Sequence, residues 1–258
     1  MNALNKLLSQ KKDKLFSVFF TAGYPTLEST IDILEAVEKH GVDFVEVGMP
    51  YSDPLADGPV IQQSSTKAIA NGMDIEILFK QLESAQHKVK IPMLLMGYLN
   101  PVLQYGVERF LQKANSLKVS GIILPDLPLK EFVDDYKEMF QKYNLNFVFL
   151  ITPQTTEERI RLIDKHSSSF IYAVSSASTT GKQQDFGQAQ QDYFLRIKNM
   201  KLQHPVIAGF GIHNQQTLQQ AWSNVNGAIC GSAFLKKLAL NPNAKEAIKA
   251  LLQDLGLS

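Results

Sequence analysis

The stretch VEVGMPYSDPLADGP, residues 45–59, sets a glutamate between two valines and then runs into three prolines, two aspartates and Gly58. Residues 44–47 read as a short strand buried on both faces, the kind found in a parallel sheet covered by helices. A stiff loop follows, and then a helical pattern from Val60, so the stretch is one βα unit. Side chains alternate along a strand, which puts Phe44, Glu46 and Gly48 on one face and Val45 and Val47 on the other. With the valines packed against helices, Glu46 points into the interior of the sheet.

The same unit repeats outward in both directions. Strand candidates fall at 16–20, 44–47, 92–96, 121–124, 147–151, 170–174, 205–208 and 228–230. Helical patterns lie between them at 27–39, 60–70 with 74–88, 107–118, 129–142, 156–165, 192–199, 215–222 and 243–252. Eight such units in 258 residues, with no low-complexity linker, predict an α/β fold, a (β/α)₈ TIM barrel forming one domain over residues 1–258. An open doubly wound sheet is the alternative. It requires a Gly-rich dinucleotide loop after the first strand, and TAGYPT, residues 21–26, does not provide one. At the N-terminus Leu4, Leu7 and Leu8 stand at helical spacing, as expected of a short helix capping one end of the barrel.

Twenty-six Lys and Arg against 25 Asp and Glu leave a formal charge of +1, so no global field favours nucleic acid or an anionic membrane. No apolar run reaches the roughly 20 residues of a transmembrane helix, and the opening residues lack a signal-peptide core. The one cysteine, Cys230, fits a reducing compartment, and the cytoplasm is the expected location. Five scattered histidines and a single cysteine predict no metal site. A Ser nucleophile elbow and a Walker-type loop are likewise absent from the sequence.

In a barrel the chemistry belongs at the C-terminal ends of the strands. Glu46 sits there, and no strand candidate offers an inward Lys or Arg to pair with it. Burial without a partner raises a carboxyl pKa toward neutrality, where it can both donate and accept protons. Asp57 follows in a loop held by Pro50, Pro54 and Pro59, and two carboxylates in different settings can divide acid and base roles. Asp53 and Asp57 are alternatively caps for the helix beginning at Val60.

AGFG, with Gly209 and Gly211, closes the seventh strand, and CGSA, with Gly231 and Ser232, closes the eighth. Glycine loops leading to a helix N-terminus at these two strands are the recurrent phosphate site of the fold. Residues 175–191, small and polar, are either a lid over such a ligand or an ordinary flexible loop. Phe19, Tyr98, Tyr172 and Phe210 stand near strand ends, where they could line a flat apolar pocket.

The run VEVGMPYSDPLADGPVIQ resembles the signature of the tryptophan synthase alpha subunit family. FTAGYPT, GYLNPVLQYG, GIILPDLP, TTG, GFGI and GAICGSAF follow in the family's order over nearly the whole chain. The resemblance implies a (β/α)₈ lyase that cleaves indole-3-glycerol phosphate to indole and glyceraldehyde 3-phosphate. Glu46 would be the acid/base acting at the indole C3 carbon and the glycerol hydroxyl, and Asp57 the carboxylate facing the indole N–H. By the same matching Gly181, Phe210, Gly211, Gly231 and Ser232 would surround the phosphate, with Thr180 in the lid. Phe19, Tyr98, Ile123 and Tyr172 would line the indole pocket. Pro50, Asp53 and Asn100 would lie near a beta subunit that holds pyridoxal phosphate in an αββα assembly, with no cofactor expected in this chain. Ser178-Thr179-Thr180-Gly181 followed by Lys182 departs from the family's usual Gly-Val-Thr-Gly with a basic residue soon after.

Overall fold

A computed structural model describes residues 1–174, 188–209 and 211–257. The strands are β1 (Leu15–Thr21), β2 (Phe44–Gly48), β3 (Met93–Met96), β4 (Gly121–Ile123), β5 (Asn146–Phe147), β6 (Leu150–Ile151), β7 (Ile171–Val174), β8 (Val206–Gly209) and β9 (Gly227–Cys230). All their pairings are parallel, in the order β5-β4-β3-β2-β1-β9-β8-β7-β6. The two ends of that order are halves of one interrupted strand, so the chain between Phe147 and Leu150 closes the sheet into a barrel.

That interruption corrects the expectation of eight continuous strands. The first half bonds β4 and the second bonds β7, and the switch occurs where Val148 N–H donates to Ile122 O (3.1 Å) and Phe149 O accepts from Tyr172 N–H (2.9 Å). A continuous apolar run such as FVFLI carries no mark of which neighbour each residue bonds. The helix Leu99–Tyr105 was also not expected, because Pro101 obscures its pattern. Proline is tolerated there since the first-turn N–H groups have no intrahelical acceptor. Neither Asp53 nor Asp57 caps the helix Pro59–Ala70, whose N-cap is Gly58 with no side-chain bond.

Register confirms the faces deduced for β2. Glu46 pairs with Phe19 of β1 and Leu94 of β3, and Phe44 meets Phe170 across the interior with ring centroids 5.5 Å apart. Val45 and Val47 are fully buried on the helix side. The helix Ala3–Gln10 covers the N-terminal end of the barrel through buried Leu4 and Leu8. Its cap Asn2 accepts from Asn5 N–H and donates to Ser120 O (2.8 Å), which fixes the helix to the base of β4.

Asp164, buried in the helix Glu157–His166, organises the turn that leads into β8. Its carboxylate accepts from Gln203 N–H (2.8 Å) and His204 N–H (3.0 Å) and meets His204 Nδ1 at 3.0 Å. Asp164→Ala strands two part-buried backbone donors and is expected to cost about 2–3 kcal/mol, read as a lower urea midpoint with unchanged slope. No helix among the described residues is long and apolar enough to cross a membrane.

Candidate active site

Glu46 is completely buried in the middle of β2, and neither carboxyl oxygen has a hydrogen-bond partner among the described residues. Desolvation with no compensating charge pushes its pKa up to about 8. At neutral pH it is therefore mostly a neutral acid with a proton to donate.

Asp57 is held differently. Its own N–H donates to Pro54 O (3.0 Å), while Gln62 Nε2 donates to the carbonyls of Asp57 (3.0 Å) and Pro54 (3.4 Å). The Tyr98 hydroxyl donates to Asp57 Oδ2 (3.1 Å) and accepts from Ala56 N–H (3.0 Å). Burial pushes the Asp57 pKa up to about 6, and the Tyr98 bond restrains that rise. Between these two values Asp57 is an anion and Glu46 an acid, so β2 and the loop after it carry both species near pH 7.

A narrow pocket opens at the C-terminal ends of β1, β2 and β3, lined by Phe19, Met49, Tyr51, Asp57, Met96 and Tyr98 among others. Of the residues anticipated from sequence, Phe19, Tyr98 and Asp57 line it. Glu46, Ile123 and Tyr172 lie buried in β2, β4 and β7 and are not part of that lining. The Tyr172 hydroxyl titrates well above its usual range because of burial first and then the charges of Glu46, Asp57 and Cys230, which places it in the field of both carboxyls. Two glycines make room for the rings. A Cβ on Gly48 would lie 2.5 Å from Phe19 Cζ, and one on Gly209 would lie 2.0 Å from the Tyr172 hydroxyl.

Gly211 is exposed in the turn after β8. Gly231 is the N-cap of the helix Ser232–Leu240 and brings no side chain of its own to cap it. Gly181, Phe210 and Thr180 lie outside the described residues, as does the segment anticipated as a lid up to residue 187.

On the rim, Pro50 is half-buried while Asp53 and Asn100 are exposed. Sequence reasoning missed three residues here: Gln62, Tyr51 and Leu55. Tyr51 packs against Tyr98 with the rings tilted (5.2 Å between centroids) and its hydroxyl accepts from Asn100 Nδ2 at 3.5 Å. Leu55 is 88% exposed. An apolar side chain in a proline-stiffened loop, outside any strand or helix period, was the available signal for it.

Tyr98→Phe removes the donor that favours the Asp57 anion and leaves Ala56 N–H without its acceptor. The Asp57 pKa therefore rises, and the acidic limb of the pH–rate profile moves upward with a turnover loss of about tenfold.

The sequence pattern described as tryptophan synthase alpha chain matches residues 5–255. The tryptophan synthase alpha chain of Flavobacterium johnsoniae is 53% identical over 245 residues, covering 95% of this chain and 96% of that one. Tryptophan synthase subunit alpha from Legionella pneumophila superposes with a TM-score of 0.87 at 30% identity, covering 99% of this chain and 97% of that one. A chain of the tryptophan synthase complex from Pyrococcus furiosus gives 0.84 at 30% identity, covering 94% and 98%. A closed parallel barrel with an unpaired buried glutamate on β2 and an aspartate in the loop that follows, matched along nearly its whole length, belongs to the tryptophan synthase alpha chain family.

Proposed function

We propose that this chain cleaves indole-3-glycerol phosphate to indole and glyceraldehyde 3-phosphate, with Glu46 and Asp57 as its catalytic pair. The observation that carries the reading is the state of Glu46: wholly buried, unpartnered, and with a pKa of about 8. A carboxyl left in that state is costly to the fold and is well matched to proton exchange near neutral pH.

The steps balance around that one proton. Neutral Glu46 protonates the indole C3 carbon, and the positive charge that develops on the ring nitrogen is met by the Asp57 carboxylate. Glu46, now an anion, takes the proton of the adjacent glycerol hydroxyl. The bond between C3 and the glycerol carbon breaks, its electrons return to the ring to give indole, and the alkoxide becomes the aldehyde. Glu46 ends protonated, as it began.

Gly211, Gly231 and Ser232 hold the phosphate in this reading, together with Gly181 and Phe210. Phe19, Tyr98, Ile123 and Tyr172 contain the indole. The exposed Leu55 beside Pro50, Asp53 and Asn100 supports a partner-facing rim, against which the beta subunit of an αββα assembly docks and receives indole. Pyridoxal phosphate is held by that partner. The chain acts as one domain over residues 1–258 in the cytoplasm.

Indole release from indole-3-glycerol phosphate, measured with and without a beta subunit, tests the proposal. Release that rises with the partner is expected. Full activity of the isolated chain would favour a stand-alone lyase, and no release in either case would overturn the reading.

A further inference from the structure

Cys230, the last residue of β9, is fully buried and takes no part in the chemistry above. Its thiol donates to Ile212 O at 3.1 Å, eighteen residues away in sequence. The Phe234 N–H, in the first turn of the helix Ser232–Leu240, lies near enough to the sulfur to restrain the rise of its pKa. Ile212 directly follows Gly211, and Cys230 directly precedes Gly231. The thiol thus joins the loop after β8 to the helix start after β9.

The sheet does not make this connection itself. The pairing of β8 with β9 ends at Ala208↔Ala228, three residues short of both Gly211 and Gly231. Beyond it the spacing of the two loops depends on other contacts, and the thiol bond is one that spans them directly. Burial pushes the Cys230 pKa up to about 12, so the proton it donates is present throughout the working range of pH.

We infer that Cys230 is a positioning residue for phosphate affinity, holding Gly211 at the distance from Gly231 and Ser232 that a phosphate group requires. This rests on those three residues forming the phosphate site. A thiol donor is weak, but it acts directly between two glycine-containing segments beyond the end of the β8–β9 pairing.

Three variants separate the bond from the volume. Cys230→Ser keeps a donor and an acceptor, Cys230→Ala loses both along with volume, and Cys230→Val fills the space without a donor. The probe is sn-glycerol 3-phosphate as a competitive inhibitor of cleavage. Its inhibition constant is expected to rise about fivefold in Cys230→Ala and Cys230→Val and to stay near wild type in Cys230→Ser, as loss of one modest hydrogen bond predicts. The substrate KM should follow the same order with kcat less affected.

Equal inhibition constants in all four proteins would overturn the inference. So would equal weakening in Ser, Ala and Val, which would assign the effect to packing. Failure of the wild type itself to be inhibited competitively would instead remove the phosphate site on which the inference stands.

Discussion

Glu46→Gln lowers the turnover of indole-3-glycerol phosphate by about a thousandfold or more, while competitive inhibition by glycerol 3-phosphate stays within about twofold of wild type. The substitution keeps the shape of a side chain sealed in β2 and removes the proton that the reaction needs twice, once to protonate C3 and once to be regained from the hydroxyl. An amide can replace neither transfer. The proposed phosphate residues Gly211, Gly231 and Ser232 follow other strands, so ground-state phosphate binding should persist. Single-turnover cleavage alongside inhibitor binding distinguishes the outcomes: near-normal turnover would remove Glu46 from the mechanism, and parallel loss of binding would make it structural.

Much of this site was legible because its residues break local rules. A glutamate between valines has no reason to occupy a strand buried on both faces unless it is paired or used, and no inward cation was available to pair it. Three prolines in a ten-residue span likewise announced that Asp57 is held in place. The repeat of apolar strand and amphipathic helix carried the barrel, since period 2 and period 3.6 are local properties. What stayed hidden depends on contacts distant in sequence. The Tyr98 hydroxyl on Asp57 spans 41 residues and the Cys230 thiol on Ile212 spans 18, and neither spacing leaves a trace in composition. Tyr98 looked like a pocket wall and is in addition the donor that tunes the anion. The break between β5 and β6 was hidden for the related reason that hydrogen-bond partners, unlike burial, are not written into side-chain polarity.

The same substitution should make the protein more stable as pH rises. In the unfolded chain Glu46 titrates near 4.3, whereas in the fold burial raises it to about 8. Between those values the folded state holds a proton that the unfolded state has released. The unfolded state thus binds fewer protons there, and unfolding free energy falls as pH increases, by about 1.4 kcal/mol per pH unit. Below the window both states are protonated, above it both are ionised, and the slope from this group vanishes. Asp57, raised to about 6, adds a slope of the same sign at lower pH, but it does so in wild type and variant alike. The difference between the two proteins therefore isolates Glu46. Glutamine stays neutral and nearly isosteric, so Glu46→Gln and wild type should have similar urea stabilities at pH 5. By pH 8 the variant should be the more stable by about 3 kcal/mol, because only the wild type must then either bury a charge or hold a proton against the solvent. A difference that stayed constant from pH 5 to pH 8 would mean that the buried carboxyl has found a partner, and that its readiness to exchange a proton near neutral pH needs another source.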